Sequence, residues 1–103
     1  QQETGGADEA VRHLESQFTI DNEYTWDNHG GDGGWQIDHV MPVASFDLFD
    51  DNEFKKCFHW SNLQPLDAHI NMHVKKNKVP TGWTWDAETQ RWGGDAGSWR
   101  QFP

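Results

Sequence analysis

Asp38 and His39 stand side by side in the run Trp35-Gln36-Ile37-Asp38-His39-Val40-Met41-Pro42. Two asparagines follow: Asn62, in Asn62-Leu63-Gln64-Pro65-Leu66, and Asn71 nine positions later. These residue types suit phosphodiester hydrolysis. That reaction needs an activated water, a counter-charge for the extra negative charge at phosphorus, and stabilisation of the departing oxygen. A neutral imidazole takes the water's proton near neutral pH, because its ordinary pKa lies close to that range. One hard divalent cation supplies the rest, and Mg²⁺ typically takes one or two protein oxygens and keeps several waters. The Asp38 carboxylate and the Asn71 amide oxygen make such a pair, which leaves His39 metal-free as the base. An acid beside a histidine is common by chance. The set of four at this spacing is not.

Positioning them poses a geometric problem. Successive side chains on a regular strand point to opposite faces, so Asp38 and His39 cannot both address one site from the middle of an ideal strand. The pattern Trp35 to Val40 reads as a strand stopped by Pro42. The pair is therefore expected at its end, on irregular backbone, with the two-sided amide of Asn62 as the clamp. Ser61 to Leu66 reads as a second short strand. Asp67 is a good N-cap for a helix running to about Lys76, with Ile70 and Val74 inward and Asn71, Lys75 and Lys78 sharing a face at i, i+4, i+7.

The rest of the chain divides around this core, residues 35–78. Residues 1–7 are polar and glycine-containing and read as a flexible lead. Within residues 8–34, Val11, Leu14 and Phe18 mark a short amphipathic helix from Asp8 to Phe18. A loop around Tyr24 and Trp26 follows it. Residues 43–50 form a connection expected to tuck Phe46, Leu48 and Phe49 into the core. Asp51 to Trp60 reads as a second helix capped by Asp50 or Asp51, with Phe54, Cys57 and Phe58 on one side. Residues 79–103 hold a Trp-rich β-hairpin, Trp83 to Trp92, around an Asp-led turn, and then a glycine-rich tail.

Composition bounds what this can be. A chain of 103 residues is one domain's worth. Only 34% is hydrophobic, so seven Trp and six Phe must supply much of the buried area. The single Cys57 excludes an intrachain disulfide and a Cys-pair zinc knuckle and favours a reducing, intracellular (cytoplasmic) setting. No apolar run reaches the roughly 18 residues of a membrane span, and no signal-peptide pattern is present. The net charge of −9 is concentrated in residues 1–34, with eight acids against one base, while every lysine lies in residues 35–78.

Together these segments resemble an HNH endonuclease of the His-Me finger, or ββα-metal, superfamily, and within it the zinc-knuckle-free type common in phages and large DNA viruses. The supporting runs are His13-Leu14-Glu15-Ser16-Gln17-Phe18, Trp26-Asp27-Asn28, Ala44-Ser45-Phe46-Asp47-Leu48 and Lys56-Cys57-Phe58-His59-Trp60-Ser61-Asn62, so the likeness covers about residues 12–78. It implies an α+β fold: a small ββα-metal core, here with an N-terminal helix and a C-terminal Trp-rich hairpin. By position, His39 matches the general base, Asp38 and Asn71 the metal ligands, and Asn62 the brace of the base-bearing loop. Lys75 and Lys78 resemble the family's phosphate-side lysines, and Lys76 is a further candidate for phosphate contact. The implied reaction is hydrolysis of DNA with one Mg²⁺ or Mn²⁺, leaving a 5'-phosphate and a 3'-hydroxyl. The chain departs from the pattern at Asp67, where an aromatic is common, and in His69-Ile70-Asn71-Met72-His73.

Other readings stand beside this one. A catalytically silent nucleic-acid or protein binding module on the same fold would suit the acidity. Trp83, Trp85 and Trp92 suit a small satellite core, or a sugar- or base-stacking platform. His69 and His73, at i, i+4, lack a third ligand for zinc. An acidic body also implies that other domains or chains deliver DNA, or that the protein works in high salt, where repulsion is screened.

Overall fold

The core is organised by one tryptophan. Trp35 is fully buried, and Phe18, Tyr24, Trp26 and His29 surround its indole with ring centroids 4.6 to 5.8 Å away. Its Nε1 donates to the Thr25 carbonyl oxygen at 2.7 Å, which pins the loop between residues 16 and 34 to the first strand. A Thr25 cap also holds the short 3-10 turn Trp26–Asn28. Gly34 is required there, since a Cβ would lie 2.1 Å from the Asn28 carbonyl oxygen.

The computed structural model describes residues 6–30 and 33–97. It shows a small α+β domain with two two-stranded antiparallel sheets and a few short helices. Of the expected lead at residues 1–7, residues 1–5 lie outside the described residues, as do 31–32 and 98–103, whereas Gly6 and Ala7 already belong to the first helix rather than to a loose lead. Helix α1 is Gly6–Glu15, with Asp8 and Glu9 in the first turn, where the helix dipole favours them. It stops before Phe18 because the Gln17 and Phe18 amides bond three residues back, to Leu14 and Glu15, in a tight turn. Leu14 is buried while Val11 is exposed, so the inward stripe is narrower than the expected Val11-Leu14-Phe18 face. His13 takes the other inward place, its Nε2 2.9 Å from the Leu63 carbonyl oxygen and its ring edge-on to Trp60.

Strand β1 is Trp35–His39 and β2 is Leu63–Asp67. They pair antiparallel from Trp35↔Asp67 to His39↔Leu63. Between them run a 3-10 turn at Val43–Ser45, helix α2 at Asp51–Cys57 and a second 3-10 turn at Trp60–Asn62. Asp50 caps α2 by accepting from the Asn52 and Glu53 amides. The expectation that Leu48 and Phe49 enter the core is overturned. Phe49 is 100% exposed and Leu48 is exposed, because Asp47 and Asp50 hold the chain in surface turns. Only Phe46 is half-buried, edge-on to Trp92. Within α2 Cys57 is buried and Phe54 stays on the surface, as does Phe58 at the helix C-cap.

After β2, Asp67 accepts from the Ile70 amide, the expected cap. The helix that follows is wider than expected. Over Ile70–Lys75 it is a π-helix, closed by the Lys76 amide bonding to the Asn71 carbonyl oxygen five residues back. The C-terminal hairpin forms as read: β3 is Gly82–Asp86 and β4 is Arg91–Asp95, with Asp86 leading the turn. It docks on the Trp60–Asn62 turn through Trp83 and Trp92, whose indoles lie parallel 6.5 Å apart.

Two substitutions check where the core sits. Trp35→Ala should lose about 3–5 kcal/mol of stability, as for other large buried aromatics. Phe49→Ser should stay within about 0.5 kcal/mol of wild type. Urea unfolding of both measures this, and a large loss in Phe49→Ser would contradict the exposed placement.

Candidate active site

Asp38, His39 and Asn71 line a single cleft of about 550 Å³, whose walls also include Ile37, Pro42 and Lys76. Three consecutive strand residues, pointing alternately to opposite faces, reach one cleft because it runs along the edge of β1 that β2 leaves free. The pair closes β1 at the strand's end, as expected, but pairing continues through both Asp38 and His39, so the backbone there is regular rather than irregular. The departure comes two residues later, at Met41. There the Asn62 side chain takes over as partner, with Oδ1 accepting from the Met41 amide at 2.8 Å and Nδ2 donating to the Met41 carbonyl oxygen at 3.1 Å.

Asn62 does more than hold Met41. Its Nδ2 also donates to the Cys57 carbonyl oxygen at the end of α2, and its Oδ1 accepts from Trp83 Nε1 in the hairpin. Fully buried, this amide joins four parts of the chain. Its loss therefore disturbs the fold as well as the turn after His39.

Asp38 is buried opposite Gln64, which donates to its Oδ2 at 2.9 Å. The same oxygen lies 3.2 Å from Lys75 Nζ, which also donates to the His39 carbonyl oxygen at 3.1 Å. Lys75 is 0% exposed. It shares a helix face with Asn71 as read from the sequence, but that face is turned onto β1, so its ammonium is not displayed to a phosphate. The hydrocarbon stem fills the helix–sheet interface and the buried carboxylate draws the charge inward. Lys76 and Lys78 are exposed, and Lys76 is at the cleft wall.

Two charge effects compete at Asp38. Burial raises its carboxyl above the ordinary carboxylate range, and it outweighs the pull downward from Gln64, Lys75 and His39. At His39 burial lowers the pKa below the ordinary 6.5, the Asp38 charge opposes the shift, and Lys75 adds to it. The ring lies edge-on to Phe58 at 5.1 Å, and its Nε2 is buried without a hydrogen-bond partner among the described residues. Burial thus disfavours the charged imidazole.

The donor set suits a hard cation. Asn71 spends its Nδ2 on Gln36 Oε1 at 2.9 Å, so its amide oxygen remains for another partner. Asp38 likewise uses Oδ2 for its protein partners. Two oxygens on one cleft, from one carboxylate and one amide, are ligands of the kind Mg²⁺ and Mn²⁺ take. Among the described residues no group of three His, Cys, Asp or Glu side chains is close enough to hold a metal. His69 and His73 lie side by side on the surface, ring centroids 4.7 Å apart.

Comparison with known proteins gives relatives without a described activity. The chain is 46% identical over 56 residues to "Uncharacterized protein L246" of Acanthamoeba polyphaga mimivirus, covering 54% of this chain and 24% of that protein. It is 40% identical over 63 residues to "Uncharacterized protein L426" of the same virus, covering 61% of this chain and 26% of that protein. The chain thus spans about a quarter of the length of these curated relatives. No protein-family model matches the chain, and no solved structure does. Among the described residues no helix is long and apolar enough to cross a membrane.

Three residues of the site escaped the sequence reading: Gln36, Gln64 and the inward role of Lys75. A signal for the first two existed. Gln36 shares a strand face with Asp38, and Gln64 shares one with Asn62, so alternation alone groups these polar residues. Lys75→Met should leave Asp38 buried without a counter-charge and cost about 3–5 kcal/mol in metal-free buffer. The double variant Asp38→Asn, Lys75→Met should recover much of that loss. Denaturant unfolding of the three proteins tests the pair, and additive losses would refute the coupling.

Proposed function

We propose that this chain is a metal-dependent endonuclease of the HNH type, hydrolysing phosphodiester bonds in DNA on a ββα-metal core. The observation that carries this reading is the convergence of Asp38, His39 and Asn71 on one cleft, the last from a helix 32 residues beyond His39. The order strand, long connection, strand, helix supports it, as does the Asn62 amide behind the turn that follows His39. Asp38 and Asn71 are the residues that would hold one divalent cation, Mg²⁺ or Mn²⁺. When bound, that cation supplies the counter-charge for the phosphate and for the departing oxygen.

The chain's own residues supply the rest. His39, its charged form disfavoured by burial, accepts a proton from a water in the cleft. The resulting hydroxide forms a bond to phosphorus as the bond to the 3'-oxygen breaks, and the departing oxygen takes a proton from a second water, giving a 5'-phosphate and a 3'-hydroxyl. Asn62 is a positioning residue, holding Met41 and thereby the strand end that bears His39. Gln36 turns the Asn71 amide oxygen outward, and Gln64 fixes the Asp38 carboxylate. Lys76 at the rim, with the exposed Lys78, would meet a phosphate. The giant-virus relatives suit a virus-encoded nuclease.

One observation favours a catalytically silent binding module instead. Lys75 already neutralises the carboxylate that a cation would need. Turnover separates the two readings. Plasmid DNA should be nicked with Mg²⁺ or Mn²⁺ and not in EDTA, and His39→Ala should cut roughly 10²–10⁴-fold more slowly. Wild-type rates in a well-purified His39→Ala protein would sink the proposal.

The pH profile carries a further expectation. Protonated His39 cannot accept a proton, so activity falls as pH drops through its pKa. That pKa is shifted down from 6.5, so the half-maximal point of the acid limb should lie below 6.5. A bound cation moves it the same way. An acid limb centred above 6.5 would contradict the assignment.

A further inference from the structure

Beside the catalytic cleft lies a larger groove of about 820 Å³, formed between α1, α2 and the tip of the C-terminal hairpin. Phe54 and Phe58 of its floor are 49% and 46% exposed and lie 4.9 Å apart, and Trp60 and Trp85 are half-buried in its wall. Surface aromatics of this size in one concavity mark a binding surface rather than an incompletely formed core.

Charge narrows the occupant. The chain carries 17 acids and eight Lys and Arg, yet the described residues of this groove include Lys55 and Lys56 and no acid. Lys56 lies over the Trp85 ring at 5.7 Å, and Arg91 lies over Trp60 at 5.2 Å. A neutral sugar would gain nothing from these cations. Bases need flat rings and phosphates need cations, and this groove is lined by both.

Phe58 links the groove to the cleft. It lines the groove, and its ring stands against His39 in the neighbouring site. From this the geometry points to a single-strand path: the groove binds unpaired nucleotides of the nucleic acid, their bases on Phe54, Phe58 and Trp85 and their phosphates at Lys55 and Lys56, and leads the strand past Phe58 to His39. It rests on the nuclease reading of the cleft and adds the substrate class, an unpaired or locally opened strand. Paired bases are stacked inside a duplex and cannot reach the rings.

Fluorescence anisotropy with labelled oligothymidylate of about ten nucleotides, in EDTA so that nothing is cut, tests the groove independently of turnover. Wild-type protein should bind the single strand roughly tenfold tighter than a blunt duplex of equal length. Phe54→Ala and Lys55→Gln should each weaken it roughly tenfold. Phe54→Trp, which keeps a ring, should retain binding, and Lys55→Gln should lower the salt slope. Both altered side chains are exposed, so neither change threatens the fold. Unchanged affinity in Phe54→Ala and Lys55→Gln, or preference for the duplex, overturns the groove, whatever the plasmid assay shows. Normal single-strand binding with no cleavage under either metal overturns the nuclease and keeps the groove.

Discussion

The structure depends on one buried amide. Asn62 bonds both backbone groups of Met41, the carbonyl of Cys57 and the indole of Trp83, and its own backbone oxygen accepts from the Val40 amide. A fully buried side-chain amide is costly unless its donors and acceptors are matched. Here the matching fixes where β1 ends, where α2 ends and where the hairpin docks. The direction in which β1 leaves His39 is therefore set by residues far from it in sequence. With so little apolar material in the chain, such a joint does work that a larger core would do by packing.

A second polar joint lies on the other side of β1, and it serves electrostatics more than shape. Lys75 neutralises Asp38 inside the helix–sheet interface, while Gln64 satisfies the same oxygen. Burial outweighs both in setting the Asp38 carboxyl, and it also disfavours the charged form of His39. A site with one carboxylate already paired holds little net charge for a cation to meet. On the proposed nuclease reading, a substrate phosphate would supply the missing negative charge, so that cation and nucleic acid would assist each other at this cleft. The ammonium of Lys75 thus tunes the carboxylate.

Much of this was legible in the sequence, for identifiable reasons. The strand at Trp35, the cap at Asp67 and the Asp-led hairpin follow from local pattern and turn chemistry, and each is where that chemistry puts it. Asp38, His39 and Asn71 could be grouped because their chemistry is complementary. What failed were judgements of facing. Phe49, Leu48 and Val11 read as core because they are apolar, yet the connection and α1 run over the surface and bury only one narrow stripe. Lys75 read as a surface cation because lysine usually is one. Its burial follows from the Asp38 carboxylate across the interface, a long-range pairing that no local pattern contains. No local pattern in the sequence marks the widened turn of Ile70–Lys75 either.

The charge distribution joins the two halves of the functional reading. The acids concentrated before residue 35 repel a polyanion and leave little sequence-independent attraction for duplex DNA. A nuclease with such a surface must hold substrate through local contacts, and stacking is the kind that net charge and salt weaken least. The groove beside His39 gathers its aromatics and cations where the described lining has no acid. If the groove binds unpaired nucleotides as proposed, an acidic body around it would discriminate against smooth duplex, whose bases are inaccessible, and favour strands already opened. Under the proposed function the acidity would act as a selectivity device, because it would remove the weak binding to intact DNA that otherwise competes with the groove.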